Sequence, residues 1–151
     1  MSLEVALDSF DEIPDSENGD GFCVGERILA EDEYYKLSPR RLEIKDYFFP
    51  SKKSRLIPVC EIKIVYFKNQ NKSDLLITKQ WGMNGSRCWW ARDLKRGFRG
   101  LSQTMSYNVA IDCGERTIKG FTVSNIEDFR RGLEQCNTSI CYIADKLPDL
   151  F

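Results

Sequence analysis

The chain has 151 residues, of which 42% are hydrophobic and 30% are charged, as expected of one soluble domain with its own core. It contains no histidine, which excludes Ser-His-Asp and Cys-His nucleophiles and every zinc site that needs imidazole. The net charge of −1 conceals a split, because residues 1–33 hold eleven of the 23 acids and only Arg27 of the 22 bases. The remainder is strongly basic and would attract anionic partners.

No apolar run approaches the ~20 residues that span a bilayer, and the acidic N-terminus lacks the features of a secretory signal. We therefore expect a cytoplasmic protein, with peripheral attachment to a membrane as an open alternative. The six cysteines are scattered without a CxxC pair, which favours reduced core cysteines over disulfides. We expect no metal and no cofactor.

The chain order begins with an acidic segment, residues 1–22, which contains Pro14, Gly19 and Gly21 and predicts a disordered tail. A folded domain is predicted at 23–143, followed by a short tail at 144–151. The charge split also suggests that residues 1–33 fold back on the basic body and mask it.

Seven strands are predicted from period-two alternation between turn residues. Pro58 should bend the third strand, because proline cannot donate a ladder hydrogen bond. Gly114 suits a tight turn with positive φ, and Gly120 suggests a bulge in the last strand. The predicted strands are 27–37, 41–49, 55–67, 75–81, 87–91, 107–112 and 117–123.

The pattern then changes to helical spacing over residues 124–136. Ser124, with Glu127 three residues later, matches the capping box that begins helices. The apolar stripe of this helix must pack on the sheet before it. The stripe consists of Ile126, Phe129, Leu133 and Cys136.

This plan resembles a pleckstrin-homology-like (PH-like) domain, closest to the bacterial PH and GRAM-like branch. The segments that carry the resemblance are "YKLSPRRLEI" (35–44), "RLIPVCEIKIV" (55–65) and "YNVAIDCGERTIKGFTVSNIEDFRRGL" (107–133). Residues 82–106 fit it least well. The resemblance implies a mostly β fold, namely a seven-stranded antiparallel barrel or sandwich capped by the C-terminal amphipathic helix.

The resemblance also implies a non-enzymatic binding module that holds phosphoinositide-type headgroups or protein partners through basic loops near the first strands. Charge-assisted contacts to phosphate would supply the affinity. Ordinary solvated turns remain the alternative. The candidate cations are Lys36, Arg40, Arg41, Lys45, Lys52, Lys53 and Arg55.

A second candidate is the stretch "CWWARDLKRGFRG" (88–100), where aromatic and basic residues alternate. If 87–91 is a strand, Trp89 and Trp90 point to opposite faces, so that one belongs to the core. The stretch could otherwise form a membrane-binding or partner-binding lip. The lip would consist of Trp89, Trp90, Arg92, Lys95, Arg96, Phe98 and Arg99.

The expected function is therefore a binding module for a protein partner or an anionic lipid surface. Single-stranded nucleic-acid binding is a weaker alternative, because no RNP-type aromatic motif occurs and the pI is about 5.6. An enzyme subunit without a recognisable active site is a further alternative.

Overall fold

The computed structural model describes residues 25–71, 74–75, 77–83, 87–96, 106–137 and 139–148. The predicted disordered tail, residues 1–22, lies outside these ranges, and of the segment 1–33 predicted to mask the basic body only 25–33 is described. The described part is mostly β with one helix near the C-terminus, which confirms the predicted class. The elements are β1 (Ala30–Glu31), β2 (Tyr35–Leu37), β3 (Arg41–Ile44), β4 (Arg55–Pro58), a 3₁₀ turn (Val59–Glu61), β5 (Ile64–Asn69), β6 (Gly82–Met83), β7 (Cys88–Trp90), β8 (Tyr107–Asp112), β9 (Ile118–Val123), α1 (Ile126–Cys136) and β10 (Cys141–Ala144).

The strands form two sheets. Strands β1 to β4 make an antiparallel sheet in chain order, and the second sheet has the order β10-β5-β8-β9-β7-β6. Within the described residues these are separate ladders and not one closed barrel. No helix in the described residues is long and apolar enough to cross a bilayer.

Two pairs in the larger sheet are parallel, β7 with β9 and β10 with β5, so the prediction of antiparallel order throughout is wrong there. The reason for β10 is the crossover through α1. The helix returns the chain to the end of the sheet where β9 begins, so β10 runs in the same direction as β9. Strand β5 also runs in that direction, because β5 and β9 are both antiparallel to β8. Strand β10 was not predicted. Leu147, in the segment 144–151 that was predicted as a short tail, is also buried.

Several predicted strands are shorter or interrupted. The strand 27–37 breaks at Asp32, whose carboxylate accepts hydrogen bonds from the backbone N–H groups of Tyr34 and Tyr35. The strand 41–49 ends at Ile44, and 55–67 is interrupted by the 3₁₀ turn directly after Pro58, as expected.

The predicted strand 75–81 is absent from the described residues of that stretch. The N–H groups of Ile77 and Thr78 both donate to the Asp74 carbonyl, at 3.0 and 2.8 Å. The Asp74 carboxylate binds Lys68 Nζ at 2.8 Å. These local bonds curl the chain into a turn, and the next strand begins only at Gly82.

Helix α1 buries most of the predicted stripe: Phe129 and Leu133 are fully inaccessible and Ile126 nearly so, whereas Cys136 is only partly buried. The Phe129 ring lies edge-on to Tyr35 of β2, at 5.0 Å, and to Phe121 of β9, at 5.6 Å. The helix therefore packs against residues of both sheets.

The N-terminal cap of α1 differs from the prediction by one residue. The Asn125 side chain accepts from the Asp128 N–H at 3.2 Å, so Asn125 is the cap and the capping box from Ser124 is wrong. Asparagine caps as well as serine, and its backbone here is extended, as a cap requires.

Gly120 shows no bulge, because β8 and β9 pair in continuous register across it. A Cβ at Gly120 would overlap the Trp90 ring of the adjacent β7. The glycine therefore serves close packing between neighbouring strands. Gly114 adopts φ +81° in the β8–β9 turn, as predicted.

Candidate binding surface

The loop between β3 and β4 presents two phenylalanines to solvent. The N–H groups of Tyr47 and Phe48 both donate to the Lys53 carbonyl, and the Lys52 N–H donates to the Phe48 carbonyl at 2.8 Å. These bonds hold Phe48 and Phe49 at the tip. Phe49, at 63% exposure, is the most exposed large apolar side chain in the part of the chain that the structure describes.

Two tryptophans anchor this loop through one backbone atom. The indole N–H groups of Trp81 and Trp89 both donate to the Tyr47 carbonyl, at 3.1 and 2.8 Å. The Phe49 ring lies edge-on to Trp81, with centroids 4.8 Å apart. We call the resulting surface the aromatic rim. It consists of Tyr47, Phe48, Phe49, Trp81, Met83 and Trp89.

Four cations surround the aromatic rim. Lys52 and Lys53 are exposed in the loop itself. The Arg55 guanidinium lies 6.0 Å from the Tyr47 ring centroid, and the Arg92 guanidinium lies 5.8 Å from that of Trp81. Both distances allow cation–π attraction. Members of the two predicted sets, the basic turns and the lip, thus meet at one surface.

A pocket of about 240 Å³ lies beneath the aromatic rim, between the β3–β4 loop and strands β7 and β9. Its polar lining includes a buried lysine and a half-exposed counter-ion, with Lys119 Nζ 2.8 Å from Glu115 Oε2. Arg55 Nη2 lies 3.6 Å from the same oxygen. The lining residues are Tyr47, Phe48, Arg55, Met83, Trp89, Glu115, Thr117 and Lys119.

The titration of Glu115 and of the nearby Cys113 follows from these contacts and from burial. The hydrogen bond from Lys119 is the main cause that lowers the pKa of Glu115; burial opposes it less strongly, and the charges of Lys119 and Arg55 lower the pKa further. At the neighbouring Cys113, burial raises the pKa of the thiol to about 11, so that it is protonated at neutral pH.

The other predicted basic residues do not join this surface. Arg41 is 3% exposed, with Nε 3.7 Å from Glu26 Oε1, because Glu26 reaches it from the segment before β1. Lys45 donates to the Asp32 carbonyl at 2.9 Å. Arg40 is exposed in the β2–β3 turn, and Lys36 is the register partner of Glu43 in the ladder of β2 and β3. The turn of Arg40 lies at the end of β3 remote from Tyr47.

Two predicted lip residues are inside the protein. Trp90 and Arg96 are each 1% exposed, and the Arg96 guanidinium lies 4.8 Å from the Trp90 ring centroid. Trp89 on the opposite face is half-buried, which confirms that the two tryptophans diverge. Lys95 is exposed, while Phe98 and Arg99 lie outside the described residues.

Arg96 is the centre of a buried polar network. It donates to the Ala91 carbonyl, to Asn108 Oδ1 and to Thr122 Oγ1, each at 3.1 Å. The Thr122 hydroxyl donates to Asp93 Oδ2 at 2.5 Å. The network ties the segment after β7 to β8 and β9, which explains why a cation is buried at this position.

Most residues of the aromatic rim and of the pocket were not predicted from the sequence. The run "DYFFP" (46–50) carries a usable signal, because three aromatics directly precede a proline and a basic turn. Glu115 and Lys119 carry no such signal. The ion pair between Glu115 and Lys119 depends on the β8–β9 turn, and the approach of Arg55 to Glu115 depends on the position of β4.

The aromatic rim places exposed apolar rings beside cations, so that it can bury the rings in an apolar medium while the cations contact anions. No protein-family model, curated protein or solved structure matches this chain. Function is therefore inferred from the aromatic rim and from the pocket beneath it.

Proposed function

We propose that this chain is a non-catalytic, PH-like binding module that attaches to an anionic membrane surface through the aromatic rim. The observation that carries the proposal is Phe49, which projects 63% exposed from the loop that also bears the exposed Lys52 and Lys53. Aromatic rings at the acyl boundary and cations at the headgroups are the two contacts of peripheral membrane proteins.

The strand order supports the PH-like part of the proposal. Strands β1 to β4 form one antiparallel meander, β5, β8 and β9 form a second, and α1 follows β9 directly. These two meanders contain seven strands, the number that the resemblance implies, and α1 follows the last of them. Strands β6, β7 and β10 are then additions at the edges of the larger sheet. The packing of Phe129 against Tyr35 and Phe121 suits a helix that covers one end of the space between two sheets.

The free-energy contributions of single side chains favour attachment by apolar and charged contacts together. Full burial of one phenylalanine contributes about 1.5–3 kcal/mol, and each cation near an anionic surface contributes about 1 kcal/mol. Stable attachment usually takes two kinds of signal. We therefore expect Phe48 and Phe49 to act together with the four cations, and binding to weaken as salt screens the charges.

Vesicle co-sedimentation tests this function. The protein should sediment with vesicles of phosphatidylcholine and phosphatidylserine, but not with phosphatidylcholine alone, and less so at high salt. Phe49→Ser should weaken binding by about tenfold or more, since it removes most of one buried ring. The double variant Lys52→Gln, Lys53→Gln should weaken it through charge alone.

Matched controls lie elsewhere on the surface. Ile28→Ser removes an apolar side chain of 40% exposure outside the aromatic rim, and Arg131→Gln removes an exposed cation from α1. Both should bind like the unmodified protein. Equal binding of Phe49→Ser and the unmodified chain would contradict the proposal.

A protein partner is the second candidate, favoured by the residue types at the aromatic rim. Trp81, Met83 and Arg92 belong to the types that are enriched at protein interfaces. If the protein ignores anionic vesicles while Phe49→Ser and Arg92→Gln abolish capture of a partner, this candidate replaces the first. A gel-shift assay with single-stranded oligonucleotides at several salt concentrations separates nucleic-acid binding from both.

A further inference from the structure

The pocket beneath the aromatic rim contains a buried cation, Lys119, with more hydrogen-bond donors than the one acceptor found for it in the described residues. The Lys119 side chain is 1% exposed, and its ammonium carries three N–H donors. Within the described residues, Glu115 Oε2 is the acceptor found for them. A buried ammonium is costly unless anionic or polar acceptors surround it. The geometry at Lys119 therefore suits a second acceptor that comes from the pocket side.

The charges of the pocket lining are unbalanced. Lys119 and Arg55 both approach one oxygen of Glu115, at 2.8 and 3.6 Å, so that two cations share one carboxylate. The Glu115 side chain is 50% exposed and can rotate toward solvent. One positive charge remains uncompensated among the lining residues, and a single negative charge from a ligand would balance it.

The walls of the pocket are apolar and flat. Tyr47, Phe48, Met83 and Trp89 face the cavity, and the Tyr47 and Trp89 rings lie 6.1 Å apart at an angle of 38°. The volume of about 240 Å³ lies below the ~300 Å³ at which pockets for drug-sized ligands begin. The space therefore suits a ligand with one small ring system.

We propose that this pocket binds a small aromatic carboxylate, whose acid group contacts Lys119 and Arg55 and whose ring packs against Trp89. Glu115 acts as the internal competitor that occupies the two cations when the pocket is empty. The binding takes place in solution without vesicles. Its failure and the failure of membrane attachment are therefore separate results.

The direct test is titration of the full chain with 2-naphthoate, followed by calorimetry and by tryptophan fluorescence. Two comparators separate charge from shape: 2-naphthamide has the ring without the charge, and acetate has the charge without the ring. We expect 2-naphthoate to bind at least about tenfold more tightly than either comparator, which corresponds to ~1.4 kcal/mol. Equal affinity for 2-naphthamide, or absence of 2-naphthoate binding, overturns the proposal.

Variants assign the binding to these side chains. Glu115→Gln removes the competing charge and should tighten 2-naphthoate binding several-fold, whereas a purely structural role for Glu115 predicts weaker or unchanged binding. Lys119→Met keeps the apolar stem and should weaken binding at least about tenfold. The matched control Lys95→Met alters an exposed lysine outside the pocket and should bind normally. If Lys119→Met does not fold, Arg55→Met together with Glu115→Gln decides the question.

Discussion

The indole of Trp90 lies against the α-carbon of Gly120, its register partner in the parallel pair of β7 and β9. An added Cβ would overlap three atoms of the ring. We therefore expect Gly120→Ala to destabilise the protein by about 1–3 kcal/mol through overpacking. Urea denaturation followed by circular dichroism measures the change.

The double variant isolates the cause. In a Trp90→Leu background the ring is gone, so the additional loss from Gly120→Ala should largely disappear, which a double-mutant cycle reports as coupling. An unchanged loss in that background would assign the effect to the backbone and not to the ring.

Experiment can decide between the helix cap predicted from the sequence, Ser124, and the cap found in the structure, Asn125. Asn125→Ala removes the acceptor for the Asp128 N–H and should cost about 1 kcal/mol. Ser124→Ala is the control, because the Ser124 side chain is exposed and makes no cap bond. If the serine variant lost the greater stability, Ser124 would be the cap.

Glu115 predicts a specific pH dependence. Its pKa lies below the ordinary 4.5 because Lys119 donates a hydrogen bond to the ionised form. A lowered pKa contributes stability that is present above the unfolded pKa and is lost as the pH falls through the folded one. In Glu115→Gln this part of the acid destabilisation should be absent.

Carboxyl NMR measures the same shift directly. In the unmodified protein the Glu115 resonance should titrate below 4.5, and in Lys119→Met it should move toward that value. An unchanged midpoint in Lys119→Met would remove the lysine as the cause. Arg131→Gln on the helix should leave the midpoint where it is.

Arg96 should be among the most sensitive positions. Arg96→Met retains much of the apolar stem but removes the donors to Asn108, Thr122 and the Ala91 carbonyl, leaving buried acceptors. Breaking a buried charged network by removal of one partner costs about 3–5 kcal/mol. Lys95→Met, at the adjacent exposed position, should stay within about 0.5 kcal/mol of the unmodified protein. Thermal and urea unfolding of the pair provide the comparison.

The described cysteines should differ in their rate of alkylation according to their exposure. Cys60 and Cys141 are exposed, whereas Cys88 is buried and its pKa is raised by desolvation to about 12. Because the thiolate is the reactive form, iodoacetamide should modify the exposed pair in the native protein and Cys88 only after unfolding. Peptide mass spectrometry reads each site. Rapid native modification of Cys88 would contradict its position in the core.

Local patterns allowed much of the fold to be predicted. The stripe of Phe129 and Leu133, the Gly114 turn and the break after Pro58 follow from neighbours in the chain, and each is found. Strand pairing is different, because β7 and β10 join strands that are distant in sequence. Nothing in their own residues encodes a parallel neighbour.

The candidate binding surface was likewise predictable only in part. Exposed cations near aromatics could be predicted from composition, and Arg55, Arg92 and Trp89 meet at the aromatic rim. The burial of Arg41 and Arg96 could not, because each depends on a partner brought by another segment: Glu26 before β1, and Asn108 and Thr122 on the larger sheet. Charged residues are normally exposed, so a sequence pattern assigns them to the surface by default.

Trp81 and Trp89 fasten to a main-chain oxygen, and this has a practical consequence for protein engineering. Every amino acid at position 47 supplies the same backbone carbonyl, so the hydrogen bonds from the two indoles do not depend on the tyrosine side chain. Phe48 and Phe49 at the tip can therefore be replaced without loss of these two hydrogen bonds, provided that Trp81 and Trp89 are retained.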